Sequence, residues 1–306
     1  MHRLQNARRD SRETTRLAPS SDYCGRFAPS PTGALHFGSL VAAVASFADA
    51  RAHAGRWLLR IDDIDHTRCV AEAVDSICET LHAFGFYWDA PIYRQSDQLA
   101  AYDAALTILR DHGHSYPCAC SRRAIAAVAR HGCEGPIYPG TCRQGLAPGA
   151  QGRSQRLRTP AEPISFVDAI QGQQTQCIAD EIGDFVIRRA DGVIAYQLAV
   201  VIDDAAQNIT HVVRGADLLL STPRQIYLQR LLGLPTPSYA HIPVVRNEEG
   251  NKLSKSTAAP AIDPHNPLPT LQAAWHWLGQ PPLSTTPSSV TDFWSQAIPA
   301  WSRECV

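Results

Sequence analysis

The 306-residue sequence lacks both an excess of one charge sign and any long apolar run. Its 28 lysines and arginines nearly balance 29 aspartates and glutamates. The net charge of −1 excludes a globally basic nucleic-acid coat, although it does not exclude a local basic groove. No apolar run approaches the roughly 20 residues that a bilayer-crossing helix requires. The composition, 44% hydrophobic and 19% charged, predicts one large core and no membrane partner.

A secreted disulfide framework and a signal peptide are also missing. The nine cysteines form an odd and scattered set, which is typical of a reducing compartment, so we expect a cytoplasmic protein. Residues 1–21 carry five arginines but no hydrophobic segment, and Asp10 and Glu13 argue against a transit peptide. We interpret these residues as a disordered extension.

The most informative stretch begins at Arg26 and has the sequence RFAPSPTGALHFGSL. Residues 25–28 are strand-like, two prolines then disfavour helix, and a helical apolar pattern follows Gly38 and is expected to end at Gly55. Residues 57–61 predict a second strand. This pattern indicates a βαβ unit whose helix N-terminus suits a phosphate, although an ordinary strand–helix turn has the same spacing.

An acidic cluster, DDIDHTR from Asp62, directly follows the second predicted strand. Ligands of open α/β sheets gather at the carboxyl ends of the strands, so these carboxylates are candidate ligand contacts. The alternative is a solvated turn that caps a helix. Residues 71–84 and a segment from Ser96, a candidate N-cap, to about residue 112 predict helices that pack behind the sheet.

Cysteines cluster in one 25-residue segment, at Cys118, Cys120, Cys133 and Cys142. Three or four thiols close together in a reduced protein predict a structural zinc site, with buried free cysteines as the alternative. On chemical grounds Cys133 is the favoured fourth ligand over Tyr138, because a thiolate forms at lower pH than a phenolate.

The second half of the chain returns to strand signals. Residues 143–180 are rich in glycine, glutamine and proline and predict irregular structure with edge strands. Residues 185–196 predict a hairpin with a turn at ADG. Arg214 follows another strand-like run, and two lysines, Lys252 and Lys255, occupy a turn-flanked KLSKS segment. A mobile segment with two lysines suits a departing pyrophosphate.

These blocks resemble the glutamyl- and glutaminyl-tRNA synthetases, which are class I enzymes with a Rossmann-type catalytic domain. The resemblance rests on PSPTGALHFG, YQLAVVIDD, ITHVVRGADL and KLSKS, which occur in that order over roughly residues 22–265. It implies an α/β fold, ATP with magnesium at the nucleotide site, and glutamate as the amino acid. Two positions depart from the family pattern: Ser39 replaces the second signature histidine, and Asp62 replaces a glutamate.

The resemblance also implies roles for individual residues. The planar guanidinium of Arg214 can grip a carboxylate with two parallel hydrogen bonds, which favours glutamate over glutamine. His36, Gly38, Lys252 and Lys255 are the expected catalytic residues, with His36, Gly38 and Lys255 at ATP. The expected glutamate contacts are Arg26, Phe27, Ala28, Pro29, Ser30, Asp62, Tyr196 and Arg214.

A subgroup of short glutamyl-synthetase-like chains carries the pattern C-x-C…Y-x3-C. The resemblance to that subgroup implies one structural zinc ion held by Cys118, Cys120, Tyr138 and Cys142. A filled ligand shell leaves no position for an activating water.

The same resemblance implies how the chain is divided, with no anticodon-binding domain and a zinc-bearing α+β insert. Arg153, Arg156 and Arg158 in the insert are either phosphate contacts or part of a solvated basic loop. The expected segments are 1–21 as the extension, 22–115 and 184–265 as the catalytic halves, 116–183 as the insert, and 266–306 as a short helical region.

Such short chains activate glutamate with ATP, without tRNA, and then esterify it onto the cyclopentenediol of queuosine at the wobble position of tRNA(Asp). We therefore expect a monomeric ligase whose partners are glutamate, ATP and queuosine-bearing tRNA(Asp). A truncated synthetase that charges an acceptor end and a catalytically inactive RNA-binding relic are the alternatives. A small-metabolite nucleotidyltransferase would leave the zinc insert and the RFAPS segment unexplained.

Overall fold

The computed structural model describes residues 22–70, 72–246, 250 and 260–306. The predicted extension, residues 1–21, and both candidate lysines, Lys252 and Lys255, lie outside the described residues. Among the described residues, no helix has the length and apolar character that crossing a membrane requires.

Strands and helices alternate along most of the chain. The strands are β1 (Cys24–Phe27), β2 (Arg56–Ile61), β3 (Tyr93–Arg94), β4 (Ser115–Cys118), β5 (His131–Gly132), β6 (Gly135–Pro136), β7 (Ser154–Leu157), β8 (Ile164–Asp168), β9 (Gly172–Gln176), β10 (Val186–Arg188), β11 (His211–Gly215) and β12 (Ser238–Ile242). The α-helices are α1 (Phe37–Ala52), α2 (Ala73–Ala83), α3 (Leu99–Asp111), α4 (Arg122–Ala126), α5 (Ile178–Glu181), α6 (Tyr196–Ala206), α7 (Thr222–Leu232), α8 (Pro267–Trp277) and α9 (Val290–Ala300). Short 3-10 helices cover Gln95–Gln98, Ala216–Ser221 and Arg303–Cys305.

The first βαβ unit has the predicted parallel pairing. β1 lies in register with β2, with Cys24 opposite Arg56 and Phe27 opposite Leu59, and β3 extends this sheet on the other side of β2. The helix between them buries a nearly continuous alanine- and valine-rich surface. The small side chains allow α1 to lie close to β1 and β11. This confirms the α/β prediction.

The end of α1 differs from the prediction. The helix ends at Ala52 with His53 as its C-cap, and Gly55 lies three residues beyond the last helical residue. Gly55 is needed for space, because a Cβ there would lie 2.6 Å from Cβ of Tyr23 and 2.7 Å from its carbonyl oxygen. The backbone N–H of Gly55 donates to the carbonyl oxygen of Ala50 at 2.8 Å, so Gly55 belongs to the capping turn that follows the helix, while the residue with a positive φ is Ala54.

The predicted N-cap at Ser96 is also wrong. A 3-10 turn (Gln95–Gln98) precedes α3, and the N-cap residue of α3 is Gln98. The Ser96 hydroxyl and backbone N–H both donate to the carboxylate of Asp63, each at 2.9 Å. Ser96 therefore fixes the acidic segment after β2, which a single-helix interpretation of the sequence does not anticipate.

The second half of the chain continues the sheet beside β1. Thr210 donates its backbone N–H to the carbonyl oxygen of Cys24, which places β11 next to β1, and β11 pairs in parallel with β12. β8 and β9 complete this four-stranded sheet, although they lie within the predicted insert (116–183). A separate sheet joins β4, β7 and β10.

The predicted hairpin over residues 185–196 is shorter than expected. β10 pairs with β7, and its return segment contributes only one antiparallel bridge, between Arg188 and Ile194. The strand cannot continue because α6 begins at Tyr196.

Two hydrophobic cores cover opposite faces of the parallel strands. On β2, Trp57 and Leu59 belong to one core, while Leu58 belongs to the other. The first core includes residues of α1, α2, α8 and α9, and the second includes residues of α3, α6 and α7. Burial on both faces is the expected consequence of a parallel sheet with helical crossovers.

Candidate active site

A cavity of about 750 Å³ opens at the carboxyl ends of β1, β2, β11 and β12. Its lining comes from five separate parts of the sequence, which the fold brings to one edge of the sheet. It includes Arg26, Phe27, Ala28, Pro29, Ser30, His36, Gly38, Asp62, Tyr196 and Arg214. These are all the sequence-predicted ATP and glutamate residues that the described part of the chain contains.

Arg26 enters the cavity from the end of β1. Its side chain is almost fully buried, and its Nε donates to Oδ1 of Asp204 at 3.2 Å. Its two terminal nitrogens have no hydrogen-bond partner among the described residues, so they are available to a ligand. The segment after Arg26 is fixed to the acidic turn, because Asp62 donates its backbone N–H to the carbonyl oxygen of Pro29.

His36 caps the N-terminus of α1 at the cavity wall. Its Nδ1 accepts a hydrogen bond from the backbone N–H of Ser39 at 3.2 Å, so a neutral His36 carries its proton on Nε2. Gly38 and Ser39 also line the cavity, and the first turn of α1 contains no acidic residue. The N-terminal end of a 16-residue helix therefore presents partial positive charge to this cavity.

Asp62 belongs to a buried ionic network below the cavity. Fully buried Arg60 donates Nε to Asp62 at 2.8 Å and Nη1 to Asp204 at 2.6 Å. Burial raises the pKa of Asp62 to about 6, although Arg60 and Arg26 act in the opposite direction. Asp203 accepts hydrogen bonds from the hydroxyl of Tyr102 and the amide of Gln95.

Arg214 and Tyr196 form the wall opposite this network. Arg214 is 6% exposed, and its Nη1 donates to the Tyr196 hydroxyl at 3.4 Å. Its Nη2 donates to Thr222 at 2.9 Å and to Gln225 at 2.8 Å. These contacts leave Nη1 as the nitrogen that faces a ligand. If both Nη1 and Nη2 were to bind one carboxylate, Nη2 would first have to lose its hydrogen bonds to Thr222 and Gln225.

The residues on either side of the predicted lysine segment border the same cavity. Val245 lines it, Ala261 forms a β-bridge with His36, and Ile262 donates its backbone N–H to the carbonyl oxygen of Leu35. Lys252 and Lys255 themselves lie outside the described residues, so their predicted roles stay predictions.

The structure brings three of the cysteines together. The sulfur atoms of Cys118, Cys120 and Cys142 lie within 4.8 Å of one another. The Tyr138 oxygen is 3.4 Å from the Cys118 sulfur and 3.9 Å from the Cys120 sulfur, and it accepts the backbone N–H of Cys142 at 2.9 Å. Three sulfurs and one phenol oxygen in this arrangement fit a tetrahedral zinc shell.

Cys133 lies apart from this cluster. It is exposed, and its sulfur contacts Glu181 and Gln176 at 3.9 Å. Within the cluster, burial raises the pKa of the Cys118 thiol, but hydrogen bonds from Tyr138 and Arg156 outweigh burial and lower it to about 7. A thiol that ionises near neutral pH is suited to metal binding.

Sequence reasoning missed the polar groups that hold these side chains in place. The sequence motifs assign no role to Arg60, Asp203, Asp204, Asp168 or His241. A charged residue within the apolar strand WLLRI and the adjacent carboxylates of VVIDD were the available signals. Polar residues in such apolar surroundings require buried partners.

Comparisons with known proteins agree with this fold. Residues 24–264 match the family model of the catalytic domain of class I tRNA synthetases (E and Q). A glutamyl-Q tRNA(Asp) synthetase of Janthinobacterium sp. (strain Marseille) is 53% identical over 93% of this chain and 98% of its own length. One of Burkholderia mallei (strain ATCC 23344) is 55% identical over 91% of this chain and 96% of its own length.

A solved structure has the same fold. The glutamate tRNA ligase of Elizabethkingia meningosepticum CCUG26117, crystallised in complex with its amino acid, superposes with a TM-score of 0.76 at 23% identity. The match covers 94% of this chain and 66% of that one. By its family match and its relatives, the chain belongs to the class I tRNA synthetases of the E and Q type and is a ligase.

Proposed function

We propose that the protein activates glutamate with ATP in the absence of tRNA and then transfers it to the queuosine cyclopentenediol at the wobble position of tRNA(Asp). Relatives that are about half identical across nine-tenths of the chain carry the name glutamyl-Q tRNA(Asp) synthetase, which supports this proposal. The alternatives are an acceptor-end synthetase and an inactive relic.

The charge pattern of the cavity carries the glutamate assignment. Glutamate has two carboxylates and one ammonium group. The groups that line the cavity include the buried guanidinium groups of Arg26 and Arg214 and the carboxylate of Asp62. Arg60 also lines the cavity, but it is already paired with Asp62 and Asp204. No carboxylate of the described residues lies within 4.0 Å of the Arg214 guanidinium. A buried cation with only neutral partners favours an anionic ligand group.

The first step needs no nucleophile from the protein. An oxygen of the glutamate α-carboxylate bonds to the α-phosphorus of ATP, the bond to the bridging oxygen breaks, and magnesium-bound pyrophosphate leaves. Arg26 and Arg214 fix the glutamate in place, and the N-terminus of α1 with His36 stabilises phosphate charge. We assign Lys252 and Lys255 to the departing pyrophosphate.

The second step forms an ester on the RNA. A hydroxyl of the cyclopentenediol attacks the carbonyl carbon of glutamyl-adenylate, AMP leaves as the C–O bond to phosphate breaks, and the hydroxyl proton is released. A flipped or unstacked wobble base can enter an open cavity of this kind without a long protein–RNA interface. We assign this reaction to a cytoplasmic monomer.

We also propose that the protein binds one structural zinc ion. Cys118, Cys120, Tyr138 and Cys142 would supply its four ligands, and a filled shell would stabilise the segment between β4 and β7 without taking part in the reaction. We propose that the segment 116–183 contacts the tRNA, while its strands β8 and β9 support the catalytic half of residues 184–265.

Glutamate-dependent exchange of labelled pyrophosphate into ATP, measured without tRNA, tests the first step. We expect exchange with glutamate and at most trace exchange with glutamine, because Arg214 presents a charge that an amide cannot neutralise. Exchange that requires added tRNA(Glu) would favour the acceptor-end synthetase. No exchange under either condition would favour the relic.

A further inference from the structure

A buried series of side chains lies behind Arg214. Asp168, His241 and Arg214 are 2%, 0% and 6% exposed, and they link the ends of β8, β12 and β11. His241 Nδ1 is 2.6 Å from Oδ2 of Asp168, and Nε of Arg214 is 3.0 Å from Nε2 of His241. His241 is not among the cavity-lining residues. Its Nε2 contacts Arg214 and, at 3.2 Å, the hydroxyl of Thr222, which itself accepts a hydrogen bond from Arg214.

The hydrogen bonds determine the tautomer of His241. An arginine Nε can only donate, so Nε2 of His241 must accept and must carry no proton. The remaining proton is therefore on Nδ1 and is donated to Asp168. A doubly protonated imidazole would set its Nε2–H against the Nε–H of Arg214, which would break this contact.

Asp168 is also held by groups other than the His241 side chain. Its Oδ1 accepts the backbone N–H groups of Ile170, Gln171 and His241 at 2.9 to 3.0 Å. The carboxylate therefore has one orientation, with Oδ2 directed to the imidazole. Burial raises the pKa of Asp168, but the hydrogen bonds from the His241 side chain and from the three backbone groups outweigh burial and lower it. A fixed anion at this position determines both the orientation of the imidazole ring and which nitrogen carries the proton.

The opposite edge of Arg214 is held by neutral groups. Nη2 donates to the Thr222 hydroxyl and to the side-chain amide oxygen of Gln225, whose amide nitrogen in turn donates to Oε1 of Gln197 at 3.0 Å. With Nε on His241 and Nη2 on these groups, only the Nη1 end is directed to the cavity. The partners orient the guanidinium without neutralising its charge.

We propose that His241, oriented by Asp168, is a positioning residue that directs Nη1 of Arg214 at the side-chain carboxylate of the amino-acid substrate. This inference rests on the proposed function, because it takes glutamate as that substrate. Neutral His241 supplies an acceptor, and the charge of Asp168 stays one residue away from Arg214. An aspartate in direct contact with Arg214 would orient it equally well but would cancel its attraction for the substrate.

The test compares two substitutions of His241 in the full-length protein. His241→Asn can still donate to Asp168 but is too short to accept from Arg214, whereas His241→Gln places an amide oxygen near the former Nε2 position. Pyrophosphate exchange gives the KM for glutamate and the KM for ATP, and thermal melting reports on folding.

We expect His241→Asn to raise the KM for glutamate at least about tenfold, the typical effect of losing one hydrogen bond to a charged group. The KM for ATP should change less than about twofold, and His241→Gln should recover part of the loss. Equal increases in both KM values, or an unchanged KM for glutamate, would overturn the inference.

Asp168→Asn provides a second test that leaves His241 in place. Its amide can still accept the three backbone N–H groups, but its NH2 group would face Nδ1 and favour the tautomer that carries the proton on Nε2. The KM for glutamate should therefore rise in this variant too. Normal glutamate affinity here would overturn the inference, whereas absence of exchange in the wild-type protein would overturn the proposed function first and this inference with it.

Discussion

Asp62 has one methylene fewer than the glutamate that the resembling family carries at this point. The structure shows how the shorter side chain is accommodated, since its Oδ1 is held by Arg60 at 2.8 Å and its backbone N–H by Pro29. The carboxylate lines the cavity but is sufficiently buried that its pKa is raised to about 6. Its charge therefore depends on pH within the range in which enzymes are assayed.

This raised pKa predicts a pH dependence of glutamate binding. Below about pH 6, Asp62 is protonated and loses its attraction for the α-ammonium group of glutamate, whereas above this value it is ionised. We expect the KM for glutamate to fall as the pH rises through 6, and Asp62→Asn to have a high KM with a flatter profile. Pyrophosphate exchange from pH 5 to 8 measures both, and an unchanged profile in the variant would contradict this role.

The substitution Arg214→Lys should strongly weaken glutamate binding, although both side chains carry a positive charge. A lysine ammonium cannot contact His241, Thr222 and Gln225 and also present a nitrogen to the cavity, because it has one nitrogen where arginine has three. We expect the KM for glutamate to rise about 100-fold or more, with the KM for ATP little changed. Arg110→Lys, at an exposed pair with Asp111, is the matched control and should behave like the wild type.

At the scale of elements, the segment between β4 and β7 tests the metal proposal. Tyr138→Phe removes the phenol oxygen that lies among the sulfurs of Cys118 and Cys120, so we expect zinc content, measured by atomic spectroscopy after dialysis, to fall well below one ion per chain. Cys133→Ser is the matched control and should retain the metal, because Cys133 lies outside the cluster. The opposite ranking of the two variants would assign the fourth ligand to Cys133.

The chain end after α9 is attached to α1 by a buried ion pair. Arg303 donates Nε and Nη2 to the fully buried carboxylate of Asp49 at 2.7 and 2.6 Å, and Trp301 donates to the same carboxylate at 2.9 Å. Tyr23 donates its hydroxyl to Asp49 as well. The helix that carries the phosphate-binding end of the cavity is therefore supported from the far end of the sequence.

Arg303→Ala should destabilise the fold by about 2–3 kcal/mol, because Asp49 stays buried with only neutral donors. Although burial opposes it, the hydrogen bonds from Arg303 and Tyr23 lower the pKa of Asp49, so this stabilisation exists above about pH 4 and is lost as the pH falls through the folded-state pKa. Denaturant unfolding from pH 7 down to pH 3 should show the largest difference from the wild type at pH 7 and a shrinking difference below about pH 4. Arg110→Ala, at an exposed pair, should cost less than about 1 kcal/mol at either pH.

The sequence predicted elements more reliably than their ends. The pattern of apolar residues located α1 and β2, which are rich in buried apolar side chains, and residues 266–306 contain the expected helices, α8 and α9. It misplaced the end of α1 and the N-cap of α3. Gly55 packs closely against Tyr23, and Ser96 donates a hydrogen bond to Asp63, and both partners are distant along the chain. A single sequence does not encode such partners in any local pattern.

At the scale of the whole molecule, the cavity residues were predictable because the family motifs contain them, whereas their supporting network was not. Arg60 and Asp204 are 144 positions apart in sequence, and Asp168 and His241 are 73 apart. These pairs form only when the two halves of the sheet assemble around β1 and β11. The pairing of these supporting residues can therefore be recognised only in the assembled fold.

The transfer of labelled glutamate to RNA is the most direct test of the proposed modification of queuosine in tRNA(Asp). Purified protein, ATP and labelled glutamate are incubated with tRNA(Asp) that carries either queuosine or unmodified guanosine at the wobble position, with tRNA(Glu) as a third sample. We expect label on the queuosine-bearing tRNA(Asp) alone. Equal label on both tRNA(Asp) samples, or label only on tRNA(Glu), would contradict it and indicate a synthetase that charges an acceptor end.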